Sequence, residues 1–506
     1  MAVADTLDSA AAAELAAEEF GYFLGYPVRP AVDEPLYSPY DQSLRVVGPM
    51  GSGKTFRFLA NVIRKAPGPG LFTSSKPDIY ELTAGARKRR GPVVTFDPQG
   101  VVPGQEPLRY ALIPGADDTQ VAELRARAFI AGAGKSGSGD EAASFYRDQA
   151  ADVLMCLLHA AALDGAGIRQ VLQWARRFND PAPRAILDHH PGAGPQWSDK
   201  LVTAVSGDER TVGNTRATLS RALAPFAHES VIASLDVDTD TATDIEGLVN
   251  ANGSIYLLGK DSPHSSVSPI VTAIAEDVLD RAEKLAYLKP ARRLDPPLLA
   301  ALDEAANIAP LPSLRQRVAD GRGRGLCVMY LVQAWASAVA RFGKDDAKEL
   351  AGYTNNLLIL GGGKDVEFLK DAEQLCGRRD VLKTSTSSGR SRQERATQST
   401  QPDREPVMEG WQIQRLGTER GHEGEALLLA GSMGPIITHL PLLSESPEWP
   451  QIQEEVAEIR RQADDAAARE RAERLAELER HRATWAERNA GAAPVRMDKE
   501  SGPDGS

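Results

Sequence analysis

Two short stretches of this chain concentrate residues able to do chemistry. Gly48-Pro49-Met50-Gly51-Ser52-Gly53-Lys54-Thr55 is a complete G-x-x-x-x-G-K-[ST] element. Its glycines let successive backbone N–H groups converge on phosphate oxygens, and a helix behind it would add the positive end of its dipole. Lys54 suits β- and γ-phosphate oxygens and Thr55 suits Mg²⁺, so ATP with Mg²⁺ is the ligand implied. A strand pattern before it and a helix pattern after it argue against a chance glycine-rich turn.

The second stretch, Pro297-Leu298-Leu299-Ala300-Ala301-Leu302-Asp303-Glu304, ends an apolar run in two acids. A P-loop needs an acid at the carboxyl end of a buried strand to hold the Mg²⁺ shell. Asp303 fits that task, acting through water, and Glu304 beside it fits a general base, as in an ATP hydrolase rather than a kinase. The plainer reading makes Asp303 a helix N-cap. Downstream, Gly321-Arg322-Gly323-Arg324-Gly325 leads into the apolar run LCVMYLV, which ends at Gln333. An amide at that tip is placed to sense the γ-phosphate. Arg322 or Arg324, on a flexible glycine-rich turn, is placed to reach a neighbouring subunit's nucleotide, and a solvated basic turn is the bland alternative.

These residues need a sheet to position them. Short β-like runs at 44–47, 70–73 and 93–96 alternate with helical text near 55–65 and 78–89, the rhythm of a parallel sheet. From about 117 the strand signals vanish and helix-period text takes over, then strands resume at 254–258, 297–302, 326–332 and 356–360. The expected fold is therefore α/β, with a mostly parallel central sheet and an inserted all-α domain. The expected divisions are an N-terminal helix and approach segment (1–40), a first nucleotide-binding part (41–116), the helical insertion (117–240), and a second nucleotide-binding part (241–444). A charged C-terminal helix and disordered tail (445–506) would follow. Residues 383–404, rich in Ser, Thr, Gln and Arg, read as a mobile loop.

The 506 residues carry 58 Lys+Arg against 70 Asp+Glu, a net charge of −12, so the whole molecule does not advertise nucleic-acid binding, although a basic lining can act locally. Arg87-Lys88-Arg89-Arg90 reads first as cations suited to a helix end. Arg125, Arg127, Arg147, Arg176, Arg177, Arg210, Arg216 and Arg221, without interleaved aromatics, support at most sequence-independent phosphate contact. Trp335 reads as core. Cys156, Cys327 and Cys376 lie far apart in apolar runs, the pattern of buried thiols in a reducing compartment. The acidic start lacks a signal-peptide pattern, and no apolar run is long enough to span a bilayer. A cytoplasmic chain is expected, peripheral at the membrane only through a partner.

The P-loop, the LLAALDEAANIAPLPSL segment, the GRGRG turn and the LVQAW strand end, in this order, resemble the TraG/TraD-type coupling ATPases of conjugative type IV secretion. These belong to the FtsK/HerA group of RecA-like motors. Ser74-Ser75-Lys76-Pro77-Asp78, Phe96-Asp97-Pro98 and Asn355-Asn356-Leu357-Leu358-Ile359-Leu360-Gly361 add to the likeness, which runs from about 44 to 440. It implies a RecA-like P-loop NTPase acting as a homohexameric ring that threads DNA using ATP. In it Gln333 matches the family's motif glutamine and Arg322 its arginine, with secretion or relaxosome proteins as partners. Family members usually carry transmembrane helices ahead of the nucleotide domain, and the 47 residues before Gly48 contain none. Two other readings stand beside the motor: a nucleotide-binding adaptor that recruits proteins to a secretion apparatus, and a soluble HerA-like DNA-processing ATPase.

Overall fold

The computed structural model describes residues 17–31, 34–134, 141–260, 266–387 and 397–489. Its strands are β1 (Gly21–Arg29), β2 (Leu36–Pro39), β3 (Leu44–Val47), β4 (Gly70–Ser74), β5 (Val93–Phe96), β6 (Ser254–Leu258), β7 (Leu298–Leu302), β8 (Leu326–Val332), β9 (Asn356–Leu360), β10 (Arg378–Ser387), β11 (Thr397–Pro406), β12 (Glu425–Ala430) and β13 (Ile436–His439). Eleven of them form one sheet in the order β2-β1-β13-β12-β9-β3-β8-β7-β4-β6-β5. From β9 to β5 every neighbouring pair is parallel, and from β12 to β2 every pair is antiparallel.

The parallel strands are short, mostly apolar runs rich in Leu and Val, buried at every position. A strand covered on both faces cannot alternate polar and apolar residues, which is why these runs read as continuous hydrophobic text. Between β5 and β6 every described element is helical, from Thr119–Ala133 through Glu141–Asp164 to Ile245–Asn250. Helices Thr119–Ala133 and Ser268–Leu288 belong to one continuous core with the faces of β7 and β8, so the helical lobe is joined to the sheet through packed side chains.

Three sequence expectations change. The approach segment before residue 40 contains strands β1 and β2, because its aromatic side chains close the antiparallel edge: Tyr22 is buried, and its hydroxyl accepts a hydrogen bond from Asn356 at 2.8 Å. The supposed mobile loop over 383–404 is, in its described residues, mostly the β10–β11 hairpin. Its Thr- and Ser-rich text suits paired strands that satisfy their own backbone without a core. The glycine-rich turn at 321–325 is the last turn of the Leu314–Arg324 helix, with only Gly325 left-handed.

All three cysteines are buried and free, and burial pushes their thiols up. Among the described residues no helix is long and apolar enough to cross a membrane. The charged helix Trp449–Asn489 follows β13, and the tail expected beyond it lies outside the described residues.

Candidate nucleotide site

In a parallel sheet the backbone dipoles and loops that meet a ligand sit at the carboxyl ends of the strands. Here β3, β8, β7 and β4 lie side by side, and each delivers a different group to that edge. β3 runs into the P-loop, β8 into Gln333, β7 into Asp303 and Glu304, and β4 into Ser74-Ser75-Lys76. The strand that carries Gln333 lies between the P-loop strand and the acid strand, which sequence order alone does not show.

Gly51 and Gly53 hold φ of 82° and 83°, a left-handed backbone that L-side chains rarely adopt, so the loop's curl depends on glycine there. A wide π-type helical turn, Lys54–Leu59, follows and passes into the α-helix Ala60–Lys65. The Lys54 ammonium is folded back onto its own loop, donating to the carbonyl oxygens of Gly48 and, at 3.1 Å, Pro49. Burial lowers its pKa, while Asp303 and Glu304 pull it back up. The Ser52 hydroxyl is buried with no hydrogen-bond partner among the described residues.

Asp303 is buried beside these groups. Burial and then the neighbouring Glu304 charge push its carboxyl up to about 6, and Lys54 works against that rise. It is no helix N-cap: a turn follows it, and its Oδ1 accepts the adjacent Glu304 N–H, at 3.1 Å. Thr73 on β4 donates to the Asp303 carbonyl at 3.1 Å, which clamps the two strand ends together. Glu304 sits at φ 52°, a left-handed conformation that a non-glycine residue holds only when its surroundings impose it. Gln333 is among those surroundings, its Nε2 donating to Glu304 Oε1 at 2.8 Å. Gln333 and Glu304 are 29 residues apart in sequence and bonded in space.

Arg322 and Arg324 lie elsewhere. Their helix ends just before β8 begins, at the amino end of the sheet, so a strand of seven residues separates them from Gln333. That is roughly 20 Å at the usual rise per residue, beyond the reach of an arginine side chain. Arg322 is exposed and donates to Asp41 at 3.2 Å. Arg324 is committed inward, paired with Glu283 and stacked over Tyr287 with 5.5 Å to the ring centroid.

On the β9 side of the P-loop a cavity of about 1240 Å³ opens, lined by Gly48 to Gly53, Gln333, the Gly361–Lys364 loop and Leu416–Thr418. The sequence reading did not anticipate this wall. Gly361-Gly362-Gly363-Lys364 directly after a strand was the available signal. Among the basic residues, Arg87 and Arg125 prove structural: both are fully buried, Arg87 on Ser254 at 2.8 Å and Arg125 on the Leu112 carbonyl at 2.7 Å. Arg176, Arg177, Arg210, Arg216 and Arg221 are exposed on the helical lobe. Trp335 is half-buried beneath the Arg45 guanidinium, 4.4 Å from its ring centroid.

Residues 297–418, which include Asp303, Glu304, Gln333 and the cavity wall, match the family described as the TraM recognition site of TraD and TraG. That segment is similar to TraD and TraG. The solved structures agree in fold. The unbound bacterial conjugative coupling protein TrwB superposes with a TM-score of 0.58 at 16% identity, covering 80% of this chain and 87% of that one. TrwB in complex with the ATP analogue ADPNP gives 0.56 at 16% identity, covering 79% and 86%. TrwB with ADP and Mg²⁺ gives 0.58 at 15% identity, covering 84% and 95%. No curated relative matches the sequence. The α/β arrangement with a mostly parallel central sheet is thus a fold this chain shares with those structures.

Proposed function

We propose that the chain is an ATP-driven DNA translocase of the conjugative coupling type, working as a ring, with a hexamer as the expected number. The observation that carries this is the row of strand tips: P-loop, Gln333 bonded to Glu304, and buried Asp303, all on one edge. In this reading Lys54 leaves the Gly48 and Pro49 carbonyls for the β- and γ-phosphate oxygens, and residues Gly48 to Thr55 wrap the phosphates. The base and ribose occupy the cavity beside them. Gln333 holds Glu304 where it can orient and deprotonate the attacking water, so phosphate contact at Gln333 and base strength at Glu304 are linked by one hydrogen bond.

The residues present fit Mg²⁺. Hard oxygen donors, Thr55 Oγ1 and the Asp303 carboxylate, stand at the loop after β3 and at the tip of β7, two strands along the same edge, and a carboxylate with a raised pKa is a group that gains from a cation. Mg²⁺ would supply charge neutralisation at the β- and γ-phosphates. Support for ATP and Mg²⁺ comes also from the TrwB complexes with ADPNP and with ADP and Mg²⁺.

Arg322 lies too far from its own subunit's site, so any role on a nucleotide is played across a subunit boundary. Arg324 is already paired, which favours Arg322 for that role. The exposed arginines of the helical lobe supply phosphate-backbone contacts without sequence preference. The 297–418 match supports a relaxosome protein of the TraM kind as a partner.

Glu304→Gln removes the base while keeping the hydrogen bond to Gln333 available. It is expected to bind ATP and lose turnover by about a hundredfold or more, a hundredfold being the lower end of the range for a positioned base. Turnover of the unaltered chain is expected to rise with added DNA and to lose that stimulation as salt increases. A hydrolysis rate indifferent to DNA would rule out the motor and leave a nucleotide-binding adaptor.

A further inference from the structure

Beyond Asp303, the site's edge continues onto β4. The β4–β7 register pairs Thr73 with Leu302, so Ser74 stands level with Asp303 and Lys76 follows two residues later. Two contacts anchor the turn that carries it. The Thr73 hydroxyl holds the Asp303 carbonyl at 3.1 Å, and the Lys76 backbone N–H is held by Ser74 Oγ at 3.1 Å. The Lys76 side chain is exposed, and among the described residues no carboxylate pairs with it. An ammonium carried on this anchored strand end, level with the acid strand's tip and spent on no carboxylate, is available to an incoming anion.

The charge count asks for it. Lys54 is the cation that the P-loop supplies, and Asp303 and Glu304 already stand on the same sheet edge before any phosphate arrives. A triphosphate adds further negative charge, and most of the change during cleavage falls on the γ-phosphoryl oxygens. Lys54 approaches those oxygens from the β3 side. β8 and β7 lie between β3 and β4, so a group on β4 approaches from the far side, beyond the acids.

We propose that Lys76 is a further catalytic residue, a second lysine that contacts the γ-phosphoryl group from the β4 side of the site. This rests on the reading of the site as an ATPase and adds to it a cation that acts within the subunit, distinct from any arginine contributed across a boundary. A contact to the γ-phosphate cannot affect ADP, which has none. The predicted signature is therefore discrimination between the two nucleotides.

The test measures equilibrium binding of ADP and of a non-hydrolysable ATP analogue, together with turnover, on the full chain and on Lys76→Ala, Lys76→Arg and Lys54→Ala. For Lys76→Ala the analogue should bind about tenfold more weakly, as for one lost charge-assisted hydrogen bond, with ADP affinity unchanged and turnover reduced at least as much. Lys76→Arg should recover part of both losses. Because the side chain is exposed, the melting temperature should stay at the parent value. Equal binding of the analogue by Lys76→Ala and the parent, or equal losses for analogue and ADP, would overturn the role of Lys76 while Lys54→Ala still showed the site at work. If the unaltered chain bound neither nucleotide, the ATPase reading itself would fall, and Lys76 with it.

Discussion

Asp303 shows how a single residue records a site built for a ligand. A buried carboxyl with its pKa near 6 and an ordinary value near 3.8 binds more protons folded than unfolded between those limits. Stability then falls as pH rises through that window, and above pH 6 the ionised Asp303 opposes folding by about 3 kcal/mol. Asp303→Asn removes that opposition. Without nucleotide, the variant is expected to melt higher than the parent at pH 8 and no higher at pH 4, as read by thermal unfolding at both values. A destabilising effect at pH 8 would show that the carboxylate is already compensated by its neighbours. Glu304 at φ 52° adds a second local cost in the same turn. Both costs fall on the two acids that the sequence reading singled out, as expected where function overrides local preference.

The element that changes meaning most is the C-terminal helix. Its text reads as a charged helix, and from Arg471 to Trp485 every side chain is exposed. Its first turns, however, are built into the nucleotide domain. Ile452 and Ile459 are buried, and Trp449 meets Phe56 edge to face at 5.5 Å, one residue beyond Thr55. Ion pairs join Arg64 to Glu448 at 3.2 Å and to Glu455 at 3.0 Å, and Arg460 to Glu81 at 2.6 Å. The helix therefore braces the helix that carries the P-loop. Ile452→Ala is expected to cost about 3 kcal/mol in a denaturant titration and to weaken nucleotide binding as the brace loosens. Unchanged nucleotide affinity in the destabilised variant would separate the brace from the site. Removing 445–506 consequently cannot distinguish a motor from an adaptor, because the deletion reaches the P-loop helix itself.

At the scale of the whole molecule, Arg322 and Lys54 occupy opposite ends of one sheet, so the proposed role of Arg322 requires a second copy of the chain. Lys54→Ala and Arg322→Ala are each expected to be inactive in turnover alone. Mixed in equal amounts, they should recover part of the parent rate, since some boundaries then pair an intact P-loop with an intact arginine. Mixed assemblies, confirmed by particle mass, that remained inactive would remove Arg322 from the role. Asp41 holds Arg322 in the single chain at 3.2 Å, a contact that assembly would have to exchange for a nucleotide.

The sequence by itself determined the phosphate loop, the paired acids and the strands that carry them. Glycine, lysine and acid at set spacing are local requirements of phosphate and metal chemistry, and strands buried on both faces write themselves as unbroken apolar runs. Strand order, by contrast, is a relation between segments far apart in the chain. Only the folded sheet put β8 between β3 and β7, bonded Gln333 to Glu304, and brought the end of β4 against Asp303. It also buried Arg87 and Arg125, which composition alone leaves indistinguishable from surface cations. Burial and pairing depend on what else arrives at the same place, and local text carries no record of that.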